Sequence, residues 1–135
     1  MSGLPFWAAA LWWGSLSTIG FLVVPLLFAT LPSPALAGQM AARLFAAQTW
    51  VSCICALLLL ISLRQNQAPA RVPIAQAAII FIVLGMLLAL LAEFAVAPRI
   101  VARENLRLWH SVGSAMYLLQ WLCAAATFWK LSPRS

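Results

Sequence analysis

Four ionisable side chains are the strongest candidates for chemistry in this sequence: Glu93, Arg43, Arg99 and His110. Glu93 directly follows the uncharged run 72–92, and an ionisable residue inside an apolar segment is a functional candidate by default. Its carboxylate would bind a cation or relay a proton, with His110 as its partner and an arginine adjusting its charge. The alternative is a Glu93–Arg43 or Glu93–Arg99 ion pair that only fixes how the helices pack.

The elements that position these residues follow from the spacing of charge. Eight basic and two acidic residues leave long uncharged runs, and a helix of about 20 apolar residues crosses a bilayer core. Hydrophobic residues make up 65% and charged residues 7%, far from the composition of a soluble domain. The sequence therefore predicts an all-α integral membrane four-helix bundle with antiparallel up-down spans, forming one domain over 1–135. The predicted spans cover about 5–31, 36–63, 73–97 and 106–131.

The direction of the spans places the ionisable residues at one end of the bundle. Four spans put both termini and the 64–72 loop on one side, here named side A, and the other two connections on side B. Arg43, Glu93, Arg99 and His110 then share a depth near side B. Gln48 and Tyr117 belong to polar stripes that would line the same interior. The predicted ligand or proton site comprises Glu93, Arg43, Arg99, His110, Gln48 and Tyr117.

The net charge of +6 indicates membrane topology and contacts with lipid headgroups rather than nucleic acid. No basic patch is interleaved with aromatic residues as nucleic-acid binding requires. Side A and side B carry four Lys/Arg each, so the counts set no orientation. If Arg43 or Arg99 turns into the bundle, it counts less towards the positive charge of side B. Side A, with both termini, would then be favoured as the cytoplasmic side. The expected partners are the lipid bilayer, a small-molecule ligand, and either a second copy or another membrane protein.

Tryptophan is unusually frequent, with seven residues. The indole ring favours the membrane interface, where its N–H stays hydrated. Trp12 lies in the first third of its predicted span and is expected near that interface. Trp50 lies deeper and is expected to pack between helices.

Metal and cofactor chemistry has few candidate ligands, which are His110, Cys53, Cys55 and Cys123. A single His excludes two-His haem ligation within one chain. Cys53 and Cys55 lie about 200° apart around a helix and cannot easily chelate one ion. We expect no cofactor, with haem or copper as the alternatives. No catalytic motif indicates an enzyme reaction.

Several short segments together carry a family resemblance, and Glu93 accompanies them. They are Leu11–Ser15, Pro25–Phe28, Leu44–Trp50, Ala97–Ile100 and Leu108–Ser111. The pattern resembles a bacterial inner-membrane family, domain of unknown function 4149, related to eukaryotic transmembrane protein 205. The resemblance implies a four-helix bundle in the bacterial inner membrane. The eukaryotic relatives are associated with the handling of toxic metal compounds and drugs, so the resemblance also favours transport or ligand binding. More distant four-span proteins linked to copper or haem use several His, whereas this chain has one.

Three functional hypotheses follow. The first is a small membrane protein that binds or moves a small solute, metal compound or proton through a polar site at one end of the bundle. The second is a non-enzymatic assembly subunit or interaction module. The third is a haem- or quinone-linked membrane redox protein, against which the single His counts.

Overall fold

The computed structural model describes residues 3–65 and 72–134 and contains four long helices. They are α1 (Gly3–Thr30), α2 (Pro34–Gln65), α3 (Val72–Val101) and α4 (Leu106–Leu131). Each is long and apolar enough to cross a membrane, and the described residues contain no strand. The predicted all-α, four-span architecture is confirmed. Most of the predicted 64–72 loop, including Arg71, lies outside the described residues.

Short connections at side B make the adjoining helices antiparallel neighbours. α1 ends at Thr30 because Leu31 is extended, with φ −76° and ψ 151°, and Pro32 follows. The Ser33 hydroxyl accepts a hydrogen bond of 3.2 Å from the Leu36 N–H, which caps the start of α2. Around the bundle, each helix packs against two others in the order α1, α2, α3, α4 and back to α1.

Two of the helices contain a five-residue π-helical segment close to side B, Ile19–Val23 in α1 and Ala92–Val96 in α3. In the second, the Ala97 N–H donates to the carbonyl of Ala92, five residues back. Proline lacks the N–H that an α-helix needs, and the wider π turn lets the helix pass through Pro98. The helix therefore continues to Val101, four residues beyond the predicted end of span three, and the extent of the membrane-crossing part stays a prediction.

Two of the tryptophans lie in surroundings different from those expected from the sequence. Trp12 is fully buried at the bundle centre instead of lying at an interface, and its ring reaches across to Gly85 of α3. A Cβ at position 85 would lie 2.6 Å from that ring, so only glycine admits it. Trp50 is 66% exposed instead of packed between helices, because its neighbours Thr49 and Ser52 face inward.

Candidate functional site

The four predicted ionisable residues lie towards side B, but the structure does not join them. Glu93 is half-buried within the π segment of α3, whereas Arg43, Arg99 and His110 are exposed. Within residues 3–65 and 72–134, no Lys, Arg or His nitrogen comes within 4.0 Å of a Glu oxygen. Neither the Glu93–Arg43 nor the Glu93–Arg99 ion pair is formed.

Arg99 has an aromatic partner instead of a carboxylate. Its guanidinium carbon lies 4.6 Å from the ring centroid of Trp109, which is within the range of a cation–π interaction. Arg99 belongs to the last turn of α3 and Trp109 to the first turn of α4. The contact therefore joins the two helix ends on either side of the 102–105 turn and holds this guanidinium against α4.

Glu93 lines an open groove of about 420 Å³ between the start of α2 and the end of α3. The lining residues of this carboxylate groove are Ala42, Glu93, Ala97, Pro98, Val101 and Ala102. Glu93 is the single charged member of that set. Small-molecule sites are mostly apolar with a few polar groups that orient the ligand, and the lining of this groove has that character. One carboxylate between aliphatic walls can neutralise a small cation.

Val96, in the same π segment, shows how α3 is oriented here. Its side chain is 4% exposed and approaches Gly113 of α4, where a Cβ would lie 3.4 Å from Val96 Cγ1. The segment thus packs closely on α4 through Val96. Glu93 faces the groove that Ala42 of α2 also lines.

Gln48 belongs to a different region, the middle of the bundle. Its amide Nε2 donates to the hydroxyls of Ser15, at 3.0 Å, and Ser52, at 3.3 Å. The Ser52 hydroxyl in turn donates to Oε1 of Gln120, at 2.8 Å. We name Ser15, Gln48, Ser52 and Gln120 the central polar layer. It links α1, α2 and α4 without any charged group.

The central polar layer is almost entirely removed from the surface. Gln48, Ser52 and Gln120 are at most 4% exposed. Gln48 Oε1 is buried and has no hydrogen-bond partner within the part of the chain that the structure describes. The indole nitrogens Trp12 Nε1 and Trp13 Nε1 are also buried without a hydrogen-bond partner among the described residues.

Tyr117 also lies near mid-bundle rather than beside Glu93. Its hydroxyl donates to the carbonyl of Leu16 at 2.6 Å, just before the π segment of α1. A Cβ at Gly20 would lie 2.5 Å from the Tyr117 ring, so glycine is required for this approach. One turn further along α4, the Trp121 indole donates to the Ser17 hydroxyl at 2.8 Å. These two bonds join α4 to α1.

The predicted metal ligands lie in different surroundings. Cys55 and Cys123 are buried, Cys53 is half-buried on another face of α2, and His110 is exposed. His110 precedes Cys123 by 13 residues, about 20 Å along a helix, so the two cannot bind one ion. Among the described residues, no group of three or more His, Cys, Asp or Glu side chains could hold a metal.

Sequence reasoning did not single out the π segments, although a repeated pattern marks both. Phe21–Pro25 reads Phe-Leu-Val-Val-Pro and Phe94–Pro98 reads Phe-Ala-Val-Ala-Pro, so both fit Phe-x-Val-x-Pro. In both helices the π segment ends two residues before the proline.

The predicted site also lacked three members of the central polar layer, Ser15, Ser52 and Gln120. Their signal was the occurrence of polar residues in the middle of apolar spans.

Comparison with known proteins gives one match. A family model described as a domain of unknown function, DUF4149, matches residues 7–109, from the first turns of α1 into the start of α4. No curated protein and no solved structure matches the chain. Because the family match covers well over half of the sequence, this multi-pass membrane protein belongs to the DUF4149 family.

Proposed function

We propose that this protein binds a small organic cation in the carboxylate groove, with the Glu93 carboxylate as the charged contact. The observation that carries the proposal is the environment of Glu93. It is half-buried in a membrane-spanning helix, lines an open groove, and has no basic nitrogen within 4.0 Å in the described part of the chain. Moving the bound cation into or across the membrane is the activity that such a site would serve.

The absence of a counter-ion makes cation binding favourable. Ionisable residues inside membrane spans ordinarily pair with another group, because an isolated charge in a medium of low polarity is poorly solvated. Arg99 lies over Trp109, and Arg43 is exposed and does not line the groove. A cationic ligand would supply the missing partner for Glu93.

The walls of the groove indicate an organic cation rather than a bare metal ion. Ala42, Ala97, Pro98 and Val101 offer aliphatic surface and no side-chain oxygen. Hard metal ions require several oxygen ligands, which one carboxylate does not provide. An ammonium or phosphonium group attached to an apolar body would pair with Glu93 and bury its carbon atoms against these walls.

The test is equilibrium binding of tetraphenylphosphonium to the full chain in lipid nanodiscs, with protein-free nanodiscs as background. We expect Glu93→Gln to weaken binding about tenfold or more, the effect of losing one strong charged contact. Glu93→Asp, which keeps the charge, should retain part of the affinity. Arg107→Gln is the matched control, because it changes an exposed charge at side B that does not line the groove.

Two outcomes would contradict the proposal. One is unchanged tetraphenylphosphonium binding in Glu93→Gln. The other is equally tight binding of the neutral probe triphenylphosphine oxide, which would show that apolar contact alone accounts for the affinity. If the cation binds specifically, uptake into proteoliposomes by the unmodified protein and by Glu93→Gln would then separate transport from binding.

A further inference from the structure

A second pocket lies beside the turn between α3 and α4 and has a different chemical character. Phe94, Ala95, Pro98, Arg99 and Glu104 line this loop pocket, whose volume is about 600 Å³. It shares only Pro98 with the carboxylate groove. Arg99 and Glu104 are both exposed, so the loop pocket offers one positive and one negative group at the side-B end of the bundle.

The backbone of the turn brings these two opposite charges to the same pocket. The Glu104 N–H donates to the carbonyl of Arg99 at 3.2 Å, which folds the chain back on the end of α3. The residues on either side of Glu104 are both left-handed, Arg103 with φ 57° and Asn105 with φ 40°. The left-handed conformation is unfavourable for Arg but tolerated by Asn, and strained backbone is found most often at functional sites.

Arg99 and Glu104 do not neutralise each other. Their charged atoms are more than 4.0 Å apart, although both side chains line the pocket. Arg99 is steadied over Trp109, which leaves its N–H donors available to a ligand. A guanidinium binds phosphate through paired hydrogen bonds, and a carboxylate accepts hydrogen bonds from an ammonium group. The pocket therefore complements a molecule that carries a phosphate and a primary ammonium group close together.

The surroundings of the pocket indicate that this molecule is a lipid. Phe94 is 66% exposed in the membrane-spanning part of α3, and Val101 is 72% exposed at its end. Phe94 lines the pocket together with Arg99, so apolar surface and a positive group meet there, as a lipid requires where its acyl chains join its headgroup. A headgroup in the pocket would place its acyl chains against Phe94.

We propose that the loop pocket is a binding site for phosphatidylethanolamine, with the phosphate on Arg99 and the ammonium on Glu104. Phosphatidylcholine has the same phosphate, but its trimethylammonium group has no N–H to donate to Glu104. Phosphatidylglycerol has the phosphate but no cation, so Glu104 would repel it. This site is independent of the proposed cation site at Glu93.

The test is native mass spectrometry of the full chain released from nanodiscs that contain equal amounts of the three lipids. We expect phosphatidylethanolamine to be retained about tenfold more than phosphatidylcholine, as expected for one additional charged hydrogen bond. Arg99→Gln should abolish retention of both lipids. Glu104→Gln should keep retention but remove the preference. Arg107→Gln, at an exposed residue outside the pocket, should behave like the unmodified protein.

Several results would overturn the proposal. Equal retention of phosphatidylethanolamine and phosphatidylcholine would remove the role of Glu104. Stronger retention of phosphatidylglycerol would identify a plain anion site. An unchanged preference in Glu104→Gln, with helical content unchanged by circular dichroism, would place the lipid elsewhere.

Discussion

Polar side chains in the central polar layer differ in charge and in exposure from those at the side-B end of the bundle. In the layer, Ser15, Gln48, Ser52 and Gln120 carry no charge and bond to one another across three helices. At side B the charged residues are exposed or half-buried, and no ion pair forms among the described residues. Neutral hydrogen bonds suit an apolar interior because they need no solvation of charge. Charges near the membrane surface stay accessible and can meet ligands.

We expect the centre of the bundle to supply most of its stability. The close approach of Trp12 to Gly85 should be the contact there that is most sensitive to substitution. Gly85→Ala would place Cβ 2.6 Å from a rigid, fully buried ring. We expect a loss of about 2 kcal/mol in the free energy of unfolding, measured by circular dichroism during denaturation in mixed detergent micelles. At Gly14, where nothing lies within 4 Å of the added Cβ, the same substitution should not destabilise. Equal unfolding free energies for Gly85→Ala and Gly14→Ala would show that the close packing of Trp12 on Gly85 does not stabilise the bundle.

The hydrogen bonds of the central polar layer should give the next largest effect. Ser52→Ala leaves Gln48 and Gln120 each short of one buried partner. We expect a loss of about 1–2 kcal/mol in unfolding free energy. Ser111→Ala is the control, because that exposed hydroxyl bonds only to the Arg107 carbonyl in its own helix. A loss of the same size in both variants would mean that the layer adds nothing particular to stability.

The contact between Arg99 and Trp109 tests whether any charge at side B stabilises the fold. A double-mutant cycle of Arg99→Gln and Trp109→Leu should give a coupling free energy of about 0.5 kcal/mol, typical of an exposed cation–π contact. The same cycle with Arg107→Gln should give no coupling. A coupling above about 2 kcal/mol would make the side-B end as important for stability as the centre.

The smallest expected effect is that of Glu93→Gln on stability. Because Glu93 has no basic partner within 4.0 Å in the described residues, Gln breaks no ion pair, and the unfolding free energy should fall by less than about 0.5 kcal/mol. Breaking a buried ion pair would instead cost about 3–5 kcal/mol. The denaturation assay used for Ser52→Ala distinguishes these cases. A large loss here would turn Glu93 into a structural residue and remove the contrast between the two regions.

Much of the fold could be predicted from the sequence because uncharged runs of about 20 residues have one good solution in a bilayer. The inward faces were harder to predict, as Trp12 and Trp50 show. In lipid, the outward face of a helix is as apolar as the inward face, so periodicity carries little information about orientation. The continuity of the helix through Pro98 was not predicted either, because the π segment lets α3 continue where an α-helix would end.

The candidate site could be predicted only as a set of residues near one depth. Gln48 and Tyr117 were grouped with Glu93, yet their hydrogen bonds place them at mid-bundle. Arg43 and Arg99 are both exposed, so the condition that favoured cytoplasmic termini is not met. Orientation, location in the inner membrane, and a homo-oligomeric or protein partner stay predictions.

The two π segments also change which residues of α1 and α3 face the rest of the bundle. A π segment is equivalent to one residue inserted into an α-helix, and deleting such a residue would restore the regular spiral. α1 and α3 carry this insertion at the same distance from a proline, within the same Phe-x-Val-x-Pro pattern. In each helix the residues after the π segment are therefore turned by about 100° relative to an unbroken α-helix, so the face that packs inward changes there.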